Sequence, residues 1–181
     1  MARLIIPDEN QTLEGKKAIQ EFLEPIGVWH DQWEAAVTFG PDANEESILA
    51  AYAHVLKPYM DEHGYQTADV IDVRPDTEGL DALRVKFLRE HTHSEDEVRF
   101  FVEGQGYFWF NPGNGNPVVC VACGAGDLLS VPAGMPHWFD LGPKPRVKAI
   151  RIFIEKSGWI PEYTGSQTEE RFLDLELPNA S

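Results

Sequence analysis

From Ala68 to Glu155 the chain breaks into short apolar-rich runs: ADVIDV, LRVKFLREHTH, EVRFFVEG, QGYFWFN, PVVCVAC, DLLSVP, HWFDL and VKAIRIFIE. Gly, Pro, Asn and Asp separate them. Runs this short, alternating with a period of two, suit strands, and the residues between them supply turns. Such a stretch folds into an all-β barrel or sandwich, so the fold class is mainly β. The 181 residues, 43% of them apolar, suffice for one full core but not for two large ones. A single domain over 1–181 is expected, with the barrel over 67–156 and an irregular tail over 157–181 that holds one helical turn at Thr168 to Leu173.

Residues 1–66 read as a mostly helical extension packed on the barrel, after an extended start at Arg3 to Ile6. Gln11 to Leu23 gives a first helix, interrupted by Gly15 and stopped by Pro25. The second is clearer: Asn44 suits its cap, and Ile48, Leu49, Tyr52, Val55, Leu56 and Tyr59 recur at helical spacing until His63-Gly64 ends it. His30 and His54 lie in this half without clustered partners and read as surface or satisfied core histidines.

The formal charge of -15 opposes association with nucleic acid or anionic lipid, because phosphate binding needs surplus Lys and Arg. MARLIIPDENQ has neither the apolar core of a signal peptide nor a membrane span, so a cytoplasmic protein is expected, working as a monomer. Cys120 and Cys123 sit three apart on one predicted strand and so face opposite sides. They read as two reduced, buried thiols.

The chemistry concentrates in two motifs. The first is His91-x-His93-x3-Glu97 with Gly104 beyond it; the second is Gly126-x5-Pro132-x-Gly134-x2-His137. Three imidazoles and one carboxylate, with no thiolate, suit iron, nickel, manganese or zinc in a mononuclear site. His91 and His93, two apart on a strand, would project from one face. Glu97 lies about 20 Å from His91 on a straight strand, so the chain must turn within 94–96 and Glu97 must return on the next strand. His137 follows a tight turn and starts another. A barrel interior then lets all four converge. By parity Val85, Phe87 and Arg89 would point inward with His91, Arg99 and Phe101 with Glu97, and Phe139 with His137. The result is an aromatic cavity with guanidinium groups beside a metal, suited to a small anion with an apolar tail. Arg99 stands out, since a buried charge requires an anionic partner.

These motifs resemble those of the cupin superfamily, whose fold is a double-stranded β-helix barrel holding a metal through three His and one Glu. Two structural positions depart from its pattern: Val85 and Leu141 stand where Gly and Asn are common. More narrowly, HTHSEDEVRFFVEGQGYF with GDLLSVPAGMPHWFDLG is similar to the acireductone dioxygenase family, and the likeness extends to RLIIPDE, GYQTADVIDV and RIFIEKSGWIPEYTG. The resemblance implies a jelly-roll barrel, one Fe2+ or Ni2+ per chain on His91, His93, Glu97 and His137, and O2-dependent cleavage of 1,2-dihydroxy-3-keto-5-methylthiopentene in methionine salvage. Iron would yield 2-keto-4-methylthiobutyrate and formate; nickel would yield 3-methylthiopropionate, carbon monoxide and formate. Arg99 would pair with the substrate anion, Phe87 and Phe139 would wall its tail, and Arg151 and Trp159 join the pocket by resemblance. Asp96 is the candidate general base, with Glu95 beside it. Two other readings stay open: a different cupin dioxygenase or isomerase, and a metal-free barrel that binds a small ligand.

Overall fold

The alternating runs become strands in a computed structural model that describes residues 1–40 and 42–180. The chain opens with β1 (Arg3–Ile6), β2 (Gln11–Glu14), α1 (Lys16–Leu23) and β3 (Trp29–Gln32). Helices α2 (Glu45–Ala51) and α3 (Ala53–His63) precede β4 (Thr67–Val73), α4 (Leu80–Leu88), β5 (His91–Thr92) and β6 (Glu97–Phe110). The rest is β7 (Val119–Gly124), β8 (Asp127–Val131), β9 (His137–Asp140), β10 (Arg146–Phe153) and β11 (Glu162–Tyr163), with a short 3-10 turn at Thr168–Phe172. Every strand pairing is antiparallel. No helix among the described residues is long and apolar enough to cross a membrane.

The first 66 residues are less helical than their periodicity indicates. Gln11–Glu14 forms an outer strand on β1, whose other side pairs with β7, and the helix begins only after Gly15, at φ 89°. The second helix does start at Asn44: its side chain accepts from the Ser47 amide at 2.9 Å and Ser47 Oγ accepts from the Asn44 amide at 3.1 Å, a reciprocal cap. It breaks at Tyr52, which leaves helical geometry (φ -105°, ψ 7°) while its ring packs edge-on against Phe100 at 5.1 Å.

A larger correction concerns residues 83–88, expected as the start of a strand running into His91 but found within α4. Leu80, Leu83 and Phe87, spaced three and four apart, pack on the core, whereas Val85 is 62% exposed. Leu83, Val85 and Phe87 also alternate in twos, so both periods are present and packing selects the helical one. Arg89, already extended, hands the chain on to His91.

Strand β6 is the spine. Its first residues pair with β8 on one side and β10 on the other; Tyr107–Phe110 pair with β7 and β9. The register with β10 slips between Lys148 and Ala149, so that Val102 is an extra residue, a bulge that bends the strand. Gly104 sits just after it at φ 73°, where a Cβ would lie 1.9 Å from the Arg146 carbonyl oxygen. This bulge switches which side chains face inward, from odd to even numbers. Phe101, then Phe108 and Phe110, join Phe139 and Leu129 in the barrel interior. Val98, Phe100 and Val102 face out beneath Ile48, Tyr52 and Leu56 of the helices. Tyr107 and Trp109 pack with Trp138, Ile5 and Phe172 on the opposite surface. Each large aromatic buried this way contributes about 1.5–3 kcal/mol. Cys120 and Cys123 are free, fully buried and in different clusters, and burial pushes both thiols well above their ordinary range.

Candidate metal centre

The barrel brings His91, His93, Glu97 and His137 together: one donor atom from each lies within 4.8 Å of all the others, and all four residues are buried. His91 stands directly across from His137 in the β5–β9 register. The chain bends at Ser94 and Glu95, and Glu97 opens β6, as the spacing requires. The bend is held from the second motif, where the Gly134 amide donates to the His93 carbonyl at 2.9 Å and Met135 N–H closes a turn on Pro132 at 3.1 Å.

Each imidazole is oriented through its outer nitrogen. His91 Nδ1 lies 2.6 Å from the Arg89 carbonyl, His137 Nδ1 2.8 Å from the Met135 carbonyl and His93 Nδ1 3.4 Å from the Ile160 carbonyl. A carbonyl only accepts, so each Nδ1 donates, and in a neutral ring Nε2 is then a bare lone pair. Nε2 of His93 and of His137 face Glu97 Oε2 at 3.1 and 3.0 Å. Two acceptors this close repel unless a cation lies between them. Metal bonds of about 2.1 Å meeting at a right angle would set their donors about 3.0 Å apart, so the donor set fits a metal ion. Burial, aided by His137, pushes His91 down to about 4, which keeps its ring neutral and able to ligate at neutral pH. Burial alone would raise the Glu97 carboxyl, but the Arg99 guanidinium beside it holds it well below the usual carboxylate range.

Arg99 donates from Nη2 to Glu97 Oε1 at 2.5 Å. Its Nε and Nη1 are buried with no hydrogen-bond partner among the described residues. The guanidinium lies between rings, 4.6 Å from the Phe139 centroid and 5.0 Å from that of Phe108. Phe87 and Phe139 meet edge-on at 6.1 Å and line the same cavity, as do Arg151 and Trp159. Arg151 is held by a two-point bond to Asp69 at 2.7 and 2.6 Å, and Trp159 stacks on His93 at 6.0 Å.

Other placements differ from the parity argument. Phe87 reaches the cavity from α4 rather than from a strand, and Arg89 turns away over the Tyr163 ring at 4.1 Å. Asp96 is not brought to the donors. Its carboxylate accepts from the Ala133 amide at 2.9 Å and the Tyr65 hydroxyl at 3.3 Å, and it lines an outer cleft with Trp33 and Tyr59. Glu95 likewise turns to the Glu155 amide, at 3.1 Å. Lys86 and Pro161 also line the metal cavity, although sequence reasoning did not single them out. The signal was available for Pro161, two residues from Trp159 in the same tail motif.

A bent antiparallel barrel that aims three imidazole nitrogens and a carboxylate at one interior point defines a metal-binding cupin. Within that class the chain belongs to the ARD/ARD′ family, whose profile matches residues 6–161. An acireductone dioxygenase of Picosynechococcus sp. is 52% identical over 177 residues, 98% of this chain and 100% of that one. Another, from Methylococcus capsulatus, is 48% identical over 159 residues, 88% of this chain and 84% of its own. The solved acireductone dioxygenase of Bacillus anthracis, with a cadmium ion in its active centre, superposes with a TM-score of 0.82 at 34% identity, covering 90% of this chain and 98% of that one.

Proposed function

We propose that this chain is a metal-dependent acireductone dioxygenase that cleaves 1,2-dihydroxy-3-keto-5-methylthiopentene with O2. One observation carries the reading beyond family membership: beside the four convergent donors lies a buried guanidinium with two nitrogens, Nε and Nη1, that have no hydrogen-bond partner among the described residues. That pairing suits an anion that must be bound next to a metal. A bound Fe2+ or Ni2+, one per chain on His91, His93, Glu97 and His137, would supply a Lewis acid and a template that chelates the enediolate oxygens. Arg99, fixed by Glu97, presents Nε and Nη1 to the substrate anion without having to reorganise. Phe87 and Phe139 take the methylthio tail into apolar surroundings. Arg151, locked by Asp69, adds positive potential, and Trp159 covers His93. Asp96 is assigned a supporting role here: its carboxylate ties the ligand turn to Ala133, and its exposed position argues against proton transfer inside the cavity.

The metal decides the products in this reading: 2-keto-4-methylthiobutyrate and formate with iron, 3-methylthiopropionate, carbon monoxide and formate with nickel. The working enzyme is a cytoplasmic monomer acting on a small molecule and O2, and the net charge of -15 supports the exclusion of nucleic acid and anionic membranes. The test is to add air to anaerobic acireductone with protein reconstituted in iron or in nickel, following substrate absorbance and headspace carbon monoxide. Oxygen-dependent bleaching is expected with both, and carbon monoxide with nickel only. No consumption by either form would sink the reading.

A further inference from the structure

Glu90 is a buried carboxylate, 3% exposed, that the proposed chemistry does not use. Its Oε1 accepts from Thr164 Oγ1 and Ser166 Oγ, both at 2.6 Å, and its Oε2 from Asn111 Nδ2 at 2.8 Å. Its carbonyl also accepts the Thr164 amide at 3.1 Å. The donors that reach it are neutral, an expensive arrangement for a buried charge unless the bonds do something specific.

What they join is informative. Glu90 directly precedes the ligand His91. Asn111 donates from its amide to the Pro136 carbonyl at 2.9 Å, one residue before the ligand His137. Thr164 and Ser166 follow residues 159–163, a strap of which Trp159 and Pro161 line the cavity. There Trp159 stacks on His93, the Ile160 carbonyl faces His93 Nδ1, Pro161 lines the wall and Tyr163 pairs with His91 across the two-residue ladder of β5 and β11. So short a ladder holds little by itself, and Ile160 is 66% exposed.

We propose that Glu90 is a positioning residue whose carboxylate latches the 159–166 strap over the metal cavity, so that the closed, substrate-holding state is the populated one. The inference rests on the acireductone reading for the identity of that substrate. If an unlatched strap is closed only a fraction of the time, the apparent affinity falls by that fraction while turnover from the closed complex is retained.

The experiment removes the strap's side of the latch, leaving the ligand strand intact, with the double variant Thr164→Val/Ser166→Ala in metal-loaded full-length protein. Hydrogen exchange of the 159–166 amides should quicken about tenfold, with metal content unchanged. KM for acireductone should rise about tenfold, the equivalent of a hydrogen bond or so, and kcat should stay within about twofold. Thr164→Ser, which keeps a hydroxyl, should behave as wild type. Unchanged exchange, or faster exchange with an unchanged KM, overturns the latch; so does a fall in kcat with KM constant. Wild type that left acireductone untouched would overturn the reading of the reaction instead, and the exchange comparison would still decide the latch.

Discussion

Arg99 and Glu97 stand two residues apart on one strand and on one face, with the guanidinium bonded to the carboxylate oxygen that does not face the imidazoles. One oxygen is thus left for the metal, and the other is held by a fixed positive charge. Arg99 is therefore bonded to the ligand set while its Nε and Nη1 have no hydrogen-bond partner among the described residues.

Replacing Arg99 by Met keeps the apolar stem and removes the charge. Metal affinity should fall about 10–100-fold, the usual effect of losing a ligand's hydrogen-bond partner. At saturating metal, turnover should drop about 100-fold or more as a preorganised donor is lost. Competition titration with a chromogenic chelator and steady-state kinetics read the two effects separately. A variant with wild-type affinity and rate would remove Arg99 from both roles.

The bare Nε2 atoms facing Glu97 make the metal part of the fold's stability. With metal at about a hundredfold over its Kd the native state gains about 2.7 kcal/mol, so chelation should lower the melting temperature by about 5–10 °C for a chain of this size. Re-addition of Fe2+ or Ni2+ should restore it. His93→Ala should melt at one temperature regardless of metal. Scanning fluorimetry checks this, and a wild-type midpoint indifferent to chelator would contradict it.

Much of this centre was legible because strand parity is a local rule. Glu97, Arg99 and Phe101 face in, Val98 and Phe100 face out, and the required turn at 94–96 is where the chain bends. Strand parity misleads where a second period coexists with the first: Leu80, Leu83 and Phe87 satisfy a helix as well as Leu83, Val85 and Phe87 satisfy a strand, and only the waiting core decides. It is silent where no period exists. Asp96 lies between the bend and β6, outside any strand, so its direction depends on the Ala133 amide and Tyr65 hydroxyl, groups 37 and 31 residues away. Lys86 reaches the cavity rim through the packing of a whole helix, and Glu90 earns its place only once the tail has folded back.

A buried pair away from the metal sets an acid limit. Asp127 accepts from His30 Nε2 at 3.0 Å, the Gly124 amide at 2.9 Å and Gln32 Nε2 at 3.3 Å, joining β3 to the β7–β8 turn. Burial alone would raise its carboxyl, but the His30 and Gly124 bonds prevail and lower it. A lowered folded-state pKa means stabilisation fully present above the unfolded value of about 3.9 and lost as pH falls through the folded value. Asp127→Asn should therefore cost about 1–3 kcal/mol at pH 7, with the gap narrowing as pH drops below about 4. Urea melts at both pH values test this; a constant gap would assign the loss to packing alone.

Phe139 owes its place on the cavity wall to a missing methyl. Gly106 faces it from β6, and a Cβ there would lie 2.2 Å from Phe139 Cζ and 2.6 Å from Cε2. The ring cannot simply retreat, since it packs at 4.8 Å against Phe108 and edge-on against Phe87 at 6.1 Å, with the Arg99 guanidinium over its face. Gly106→Ala should therefore cost about 1–3 kcal/mol through overpacking and displace a ring of the cavity wall, which under the proposed function raises KM for acireductone. Phe139→Leu alone opens space and should also weaken binding. Combined with Gly106→Ala, the smaller side chain makes room for the added methyl, so the double variant should be more stable than the sum of the single changes predicts, by about 1 kcal/mol or more. Urea melts of the four proteins measure this coupling. Simple additivity would mean that Phe139 does not depend on Gly106 for its position.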